Sequence, residues 1–104
     1  MEVLGMKTPA APAGLSAEAR KLWDKILREM GAWEDSQLWI IRTGLEQWDI
    51  MQAARARVKK DGQMVEDRFG QSKVHPLLSV IRDNANGVRQ TFKLLGLDFM
   101  EVDE

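Results

Sequence analysis

From Ser36 to Lys60 the apolar side chains recur at helical spacing without interruption until Asp61-Gly62 closes the run. A helix over that span reaches roughly 37 Å at 1.5 Å per residue. Its apolar positions fall on two adjoining stripes, Leu38, Ile41, Leu45 and Trp48 on one, and Ile40, Met51 and Val58 on the other. So wide an apolar arc cannot be covered by one partner helix, and the rest of the chain has to supply or recruit two neighbours. With 104 residues there is room for one domain, and a chain this short hides only a modest part of its surface alone, which favours self-association.

Two further helices are predicted. Ser16 stands ahead of Ala19, Leu22, Trp23, Ile26, Leu27 and Met30, which share one face, so Ser16 is the expected N-cap and Gly31 the expected left-handed C-cap. Before it, Thr8-Pro9-Ala10-Ala11-Pro12-Ala13-Gly14 cannot sustain a helix, and residues 1–15 are expected to be a flexible arm. Between Gly62 and Pro76 the helical period disappears, which predicts a short loop or small hairpin with turns at Gly62 and Gly70 and an extended piece at Gln63-Met64-Val65-Glu66. Pro76 suits the first turn of a third helix carrying Leu77, Leu78, Ile81, Ala85, Val88, Phe92 and Leu95, and Gly96-Leu97 suits a Schellman ending with Leu97 against Phe92. The expected fold class is therefore all-α, with three main helices over about 16–30, 36–60 and 76–95. Residues 16–97 form the helical domain, and residues 98–104 an acidic tail.

Composition removes several kinds of chemistry. Without cysteine there is no disulfide, no thiolate metal site and no cysteine nucleophile, which fits a reducing compartment. No apolar run approaches the roughly 20 residues that span a bilayer, and Met1 to Gly14 lacks the layout of a signal peptide, so the expected location is the cytoplasm. The single histidine, His75, precedes Pro76 and reads as a turn or cap residue rather than a metal ligand. Ser16, Ser36, Ser72 and Ser79 lack a nucleophile-elbow glycine pattern, and no phosphate-cradling G-x-x-x-x-G-K-[ST] loop occurs. Asp24, Glu29, Glu46 and Asp49 form no Glu-x-x-His pair and read as a solvated face. No catalytic residue, metal or cofactor is expected.

Binding is the remaining class. Fifteen basic and sixteen acidic residues give a net charge of -1, so any contact with nucleic acid must come from local patches. Lys21, Lys25 and Arg28 lie at i, i+4 and i+7 opposite the apolar face of the first helix, and Arg82, Arg89 and Lys93 form a similar stripe on the third. Solubility alone accounts for either stripe in one copy, whereas a symmetric ring would repeat it into a strong, salt-sensitive site. Arg55, Arg57, Lys59 and Lys60 have a sufficient explanation in the helix dipole. Trp23 and Trp48 read as core; Trp33 and Trp39, in or just after the first connection, read as exposed and suited to a subunit contact.

In order along the chain stand Pro12, Leu15-Ser16-Ala17-Glu18-Ala19 leading to Trp23, a long middle helix, Gly62 to Val65, His75-Pro76-Leu77-Leu78 and Leu94-Leu95-Gly96-Leu97. Over about residues 9 to 97 this resembles the small subunit of bacteriophage terminases. The branch it resembles has a proline-rich start, an L-S-x-E-A-x-x-x-W first helix, an Asn/His-Pro start to the last helix and a Leu-Gly-Leu finish. The resemblance implies a ring-forming, non-enzymatic protein of the infected bacterial cytoplasm. Such a protein recognises viral double-stranded DNA where packaging begins and regulates a large subunit that carries the ATPase and nuclease. On that basis Lys21, Lys25, Arg28, Arg82, Arg89 and Lys93 are the DNA-binding candidates, and Leu38, Trp39, Ile81, Val88 and Phe92 the oligomerisation candidates.

The chain departs from its relatives at the end, where Asp98-Phe99-Met100-Glu101-Val102-Asp103-Glu104 replaces a proline, small residues and an arginine. Phe99, Met100 and Val102 are accordingly candidates for docking on a partner protein such as the large subunit. Two other readings stand beside this one. A helical adaptor that binds a partner protein and not DNA is favoured by the near-zero net charge. A helix-turn-helix repressor is disfavoured because the helix after Gly31 to Asp35 starts with few base-reading side chains.

Overall fold

A computed structural model of the chain describes residues 8–97. It contains α1 (Ala17–Met30), α2 (Asp35–Asp61), β1 (Met64–Glu66), β2 (Ser72–Val74) and α3 (Leu77–Leu94). Every helix boundary lies within one residue of the sequence expectation, and where a loop or hairpin was expected a two-stranded antiparallel sheet stands. The described residues form an elongated body of 62 × 24 × 21 Å.

α1 starts where Ser16 can cap it: the Ser16 hydroxyl accepts from the Ala19 N–H at 3.1 Å. The same residue donates its own N–H and O–H to the two carboxylate oxygens of Asp49, at 2.8 and 2.5 Å. Asp49 is therefore not one of a solvated set of carboxylates but the acceptor that ties the start of α1 to the middle of α2. From there α1 runs back along α2 to Gly31, whose φ of 72° suits glycine. Its face Ala19, Trp23, Ile26 and Leu27 is buried with Ile41 and Leu45 of α2 and Val88 and Phe92 of α3.

Part of the expected flexible arm belongs to this core. Leu15 is 5% exposed and Ala11 packs against the cluster. The Pro9 carbonyl accepts the indole N–H of Trp23 at 2.9 Å, and the Ala13 carbonyl accepts from Arg20 at 2.6 Å. A buried indole N–H needs an acceptor, and a proline-rich extended chain offers carbonyls that no helix uses. Over residues 9–15 the arm is accordingly corrected to a strap along α1; residues 1–7 and 98–104 lie outside the described residues.

α2 meets α3 along Gly44, Gln47, Met51, Ala54, Val58 and Asp61, a spacing of three and four that forms the seam of two antiparallel helices. Gly44 faces the Thr91 side chain and Gly87 the Gln47 side chain across this seam. Continued in register, the seam brings the end of α2 to the start of α3. There the buried His75 accepts the Leu77 N–H at Nδ1 (3.1 Å) and faces Asp61 Oδ2 through Nε2 (3.0 Å). With Nδ1 an acceptor, the bond pattern assigns the proton to Nε2, which donates to Asp61. The sequence reading of His75 as a cap is thus met, with a long-range tie added.

Between those helix ends the hairpin pairs Met64 with Val74, Val65 with Lys73 and Glu66 with Ser72. Asp67 accepts the Phe69 and Gln71 N–H groups on its carboxylate, and its carbonyl accepts from Gly70, whose φ is 78°. This is a three-residue hairpin loop closed by a left-handed glycine. α3 ends as expected: the Leu97 N–H bonds to the Phe92 carbonyl at 2.9 Å and the Gly96 N–H to Lys93 at 3.0 Å. That pair of bonds is a Schellman motif, and Leu97 packs on the cluster that contains Phe92.

A Cβ at Gly44 would stand 2.7 Å from Thr91 Cγ2, on a β-branched side chain that a helix holds in few rotamers. The overpacking cost of about 1–3 kcal/mol exceeds the helix-propensity gain of about 1 kcal/mol, so Gly44→Ala lowers the urea midpoint and Thr91→Ala in the same chain restores it. At Gly87 the obstacle is only the movable end of Gln47, so Gly87→Ala is neutral or stabilising by up to about 1 kcal/mol. Hydrogen bonds from Arg57 first and His75 second hold the Asp61 carboxyl below its ordinary value of 3.8. A carboxyl held low when folded stabilises the fold above 3.8 and loses that contribution as pH falls through its folded value. Wild type should therefore melt above Asp61→Asn at neutral pH, with the gap closing below pH 3.8; a gap independent of pH would refute the tie.

Candidate functional site

All six basic residues singled out by sequence are exposed. Lys21, Lys25 and Arg28 project from α1, and Arg82, Arg89 and Lys93 from α3. Acids are interleaved with them: Glu18, Asp24 and Glu29 share α1, and Asp83 accepts from Arg82 at 3.3 Å. Arg89 is held by the side chain of Asn86 at 2.9 Å. Lys21 and Lys25 rim an open groove of about 510 Å³ between α1 and α2, floored by Leu22 and Trp48 and shared with Glu18 and Gln52. Such a groove, with amphipathic lysine stems along an apolar floor, is suited to binding and contains no nucleophile paired with a base.

The oligomerisation candidates divide. Trp39 is 69% exposed and borders a shallow depression with Ile40, Thr43, Thr91 and Leu94, the last 78% exposed. Leu38 is half-buried against the core and Ile81 half-buried on α3. Val88 and Phe92, by contrast, are 3% and 1% exposed inside the chain's own core. They are corrected from an intermolecular to an intramolecular role, because α1 and α2 together already cover that face of α3. Trp33, expected to be exposed, is half-buried against the same cluster, whereas Trp23 and Trp48 pack as expected. Phe99, Met100 and Val102 lie outside the described residues.

The structure also gathers a surface that the sequence reading did not assemble. The end of α2, which carries Lys59 and Lys60, leads directly into the hairpin, which carries Arg68 and Lys73, and all four are exposed at this end of the molecule. Beside them Met64, Phe69 and Val74 are 55%, 74% and 58% exposed, and the Arg68 guanidinium stands 5.1 Å from the centre of the Phe69 ring. The signal was present in Arg55 to Lys60, but the helix dipole accounted for that run, and nothing in the spacing showed that the hairpin would fold next to it.

Among the described residues no three His, Asp or Glu side chains gather as a metal site would need, and no helix is long and apolar enough to cross a membrane. The surface offers basic side chains, an uncovered Trp39–Leu94 patch and a basic hairpin end, which are the elements of a binding protein. No curated protein and no solved structure matched the chain. The family model described as phage terminase, small subunit, matches residues 19–100, about four fifths of the chain and all three helices. By this match, which extends over the α1 groove, the α2–α3 seam and the hairpin alike, the chain belongs to the phage terminase small subunit family.

Proposed function

We propose that this chain is the DNA-recognising, regulatory subunit of a phage packaging machine. It binds viral duplex DNA where packaging begins, assembles as a ring in the cytoplasm of the infected bacterium, and regulates a large subunit that carries the ATPase and nuclease. The observation that carries this reading is the family match over residues 19–100. The chain's own chemistry supports it. The basic side chains of α1 and α3 are exposed, and a lysine or arginine that neutralises a phosphate gains affinity by releasing a counterion. Net charge is only -1, so one copy is a weak binder, and repetition around a ring is what turns separate patches into a site.

Ring assembly needs apolar surface that one copy leaves open. Trp39 and Leu94 supply it, Leu38 beside Trp39 and Ile81 at the other end of α3 are further candidates, and Val88 and Phe92 serve the fold. Truncating Phe92 would cost about 3–5 kcal/mol of stability, so it is unsuitable as an interface probe. Phe99, Met100 and Val102 in the acidic segment are the proposed contact with the large subunit.

The test is binding to a labelled duplex by fluorescence anisotropy across a salt series. Wild type should bind with an affinity that falls steeply with salt, and Lys21→Glu/Lys25→Glu/Arg28→Glu or Arg82→Glu/Arg89→Glu/Lys93→Glu should weaken it by about tenfold or more. A wild-type chain that stays monomeric and binds no duplex at low salt would favour the adaptor reading, in which the exposed Trp39–Leu94 patch takes a partner protein.

A further inference from the structure

Resting on the DNA-binding reading above, the geometry points to the hairpin end of the molecule as its principal contact with duplex DNA. Residues 55–74 hold six basic and three acidic side chains, a net of +3, whereas the rest of the chain carries -4. α1 by the same count reaches only +1 and α3 +2, so the largest local excess lies outside both stripes.

Hydrogen bonding sharpens this excess. Asp61 is occupied by Arg57 and His75, and Asp67 by the backbone N–H groups of its own turn. Among the described residues at this end, Glu66 is the one acid with no such partner, while Lys59, Lys60 and Lys73 are exposed and make no ion pair. Cations left without carboxylates attract a polyanion, and the same charges repel a second copy of this end.

Shape adds a second observation. A two-stranded β-ribbon fits the B-DNA major groove, and this one stands clear of the helical body with Phe69 in its loop. An exposed phenylalanine with an arginine on its ring is costly in water but useful against a nucleotide, where the ring meets sugar or base edges and the guanidinium a phosphate. Lys59, Lys60, Arg68 and Lys73 take the phosphate contacts, and Phe69 lies against the groove. His75 and Asp61 matter indirectly, as the clamp that holds the ribbon in place.

The test uses full-length protein, a random-sequence duplex and a salt series. Arg68→Ala/Lys73→Ala removes two exposed side chains and should leave the melting curve unchanged. It should weaken duplex binding by about tenfold and make the slope of log affinity against log salt shallower by about 1.8, as for two lost phosphate contacts. Phe69→Ala should weaken binding with the slope unchanged. Unaltered affinity and slope in the double variant overturn the hairpin assignment while leaving DNA binding itself intact; a wild type that binds no duplex overturns both. Variants that change the oligomer mass and not duplex affinity would assign the surface to another copy of the chain, and so also overturn it.

Discussion

The close antiparallel approach of α2 and α3 is the contact on which the remaining structure depends. Gly44 leaves the space that the Thr91 side chain fills, and the seam from Gly44 to Asp61 then sets the register for everything beyond. At one end this brings Ile41 and Leu45 level with Val88 and Phe92, which makes the apolar cleft that α1 fills. At the other it delivers His75 to Asp61, so the chain between them has to close as a short hairpin. One packing choice therefore places both the core and the hairpin.

The molecule that results differs in thickness along its length. Where α1 lies, α2 is covered twice, by a cluster from Leu15 to Phe92. Past Asp49, where Ser16 anchors α1, α2 has α3 as its main cover, and Met51, Ala54 and Val58 form a single buried line. The thick half carries the α1 stripe, Arg89 and Lys93 of α3 and the Trp39–Leu94 patch, and the thin half carries Arg82, the hairpin and the largest local positive charge. A firm body suited to assembly and a slender basic end suited to a polyanion fit a subunit that acts by binding.

Much of this was legible in the residues. Helix starts and stops were, because Ser16, Gly31, Gly62, Pro76 and Gly96 each act through a local backbone requirement that a single position reveals. The two stripes of α2 correctly demanded two neighbours, but periodicity does not say whose helices they are. Both came from the same chain, which is why Val88 and Phe92 moved from the expected interface to the core. The strap at residues 9–15 was hidden because its role lies in carbonyls aimed at Trp23 and Arg20, and proline-rich composition records only that no helix forms. Asp49 and the hairpin end were missed for a related reason: contacts between residues 16 and 49, or 61 and 75, depend on the α2 register and leave no mark in local spacing.

Protection falls along α2 as its cover thins from two helices to one, and native-state hydrogen exchange across the helix measures that gradient. The structure predicts that amides around Ile41 and Leu45 exchange only through global unfolding, while those around Val58 and Asp61 exchange through a smaller opening shared with the hairpin and the first turn of α3. Equal protection from Ile41 through Asp61, with the hairpin as slow as the core, would contradict it.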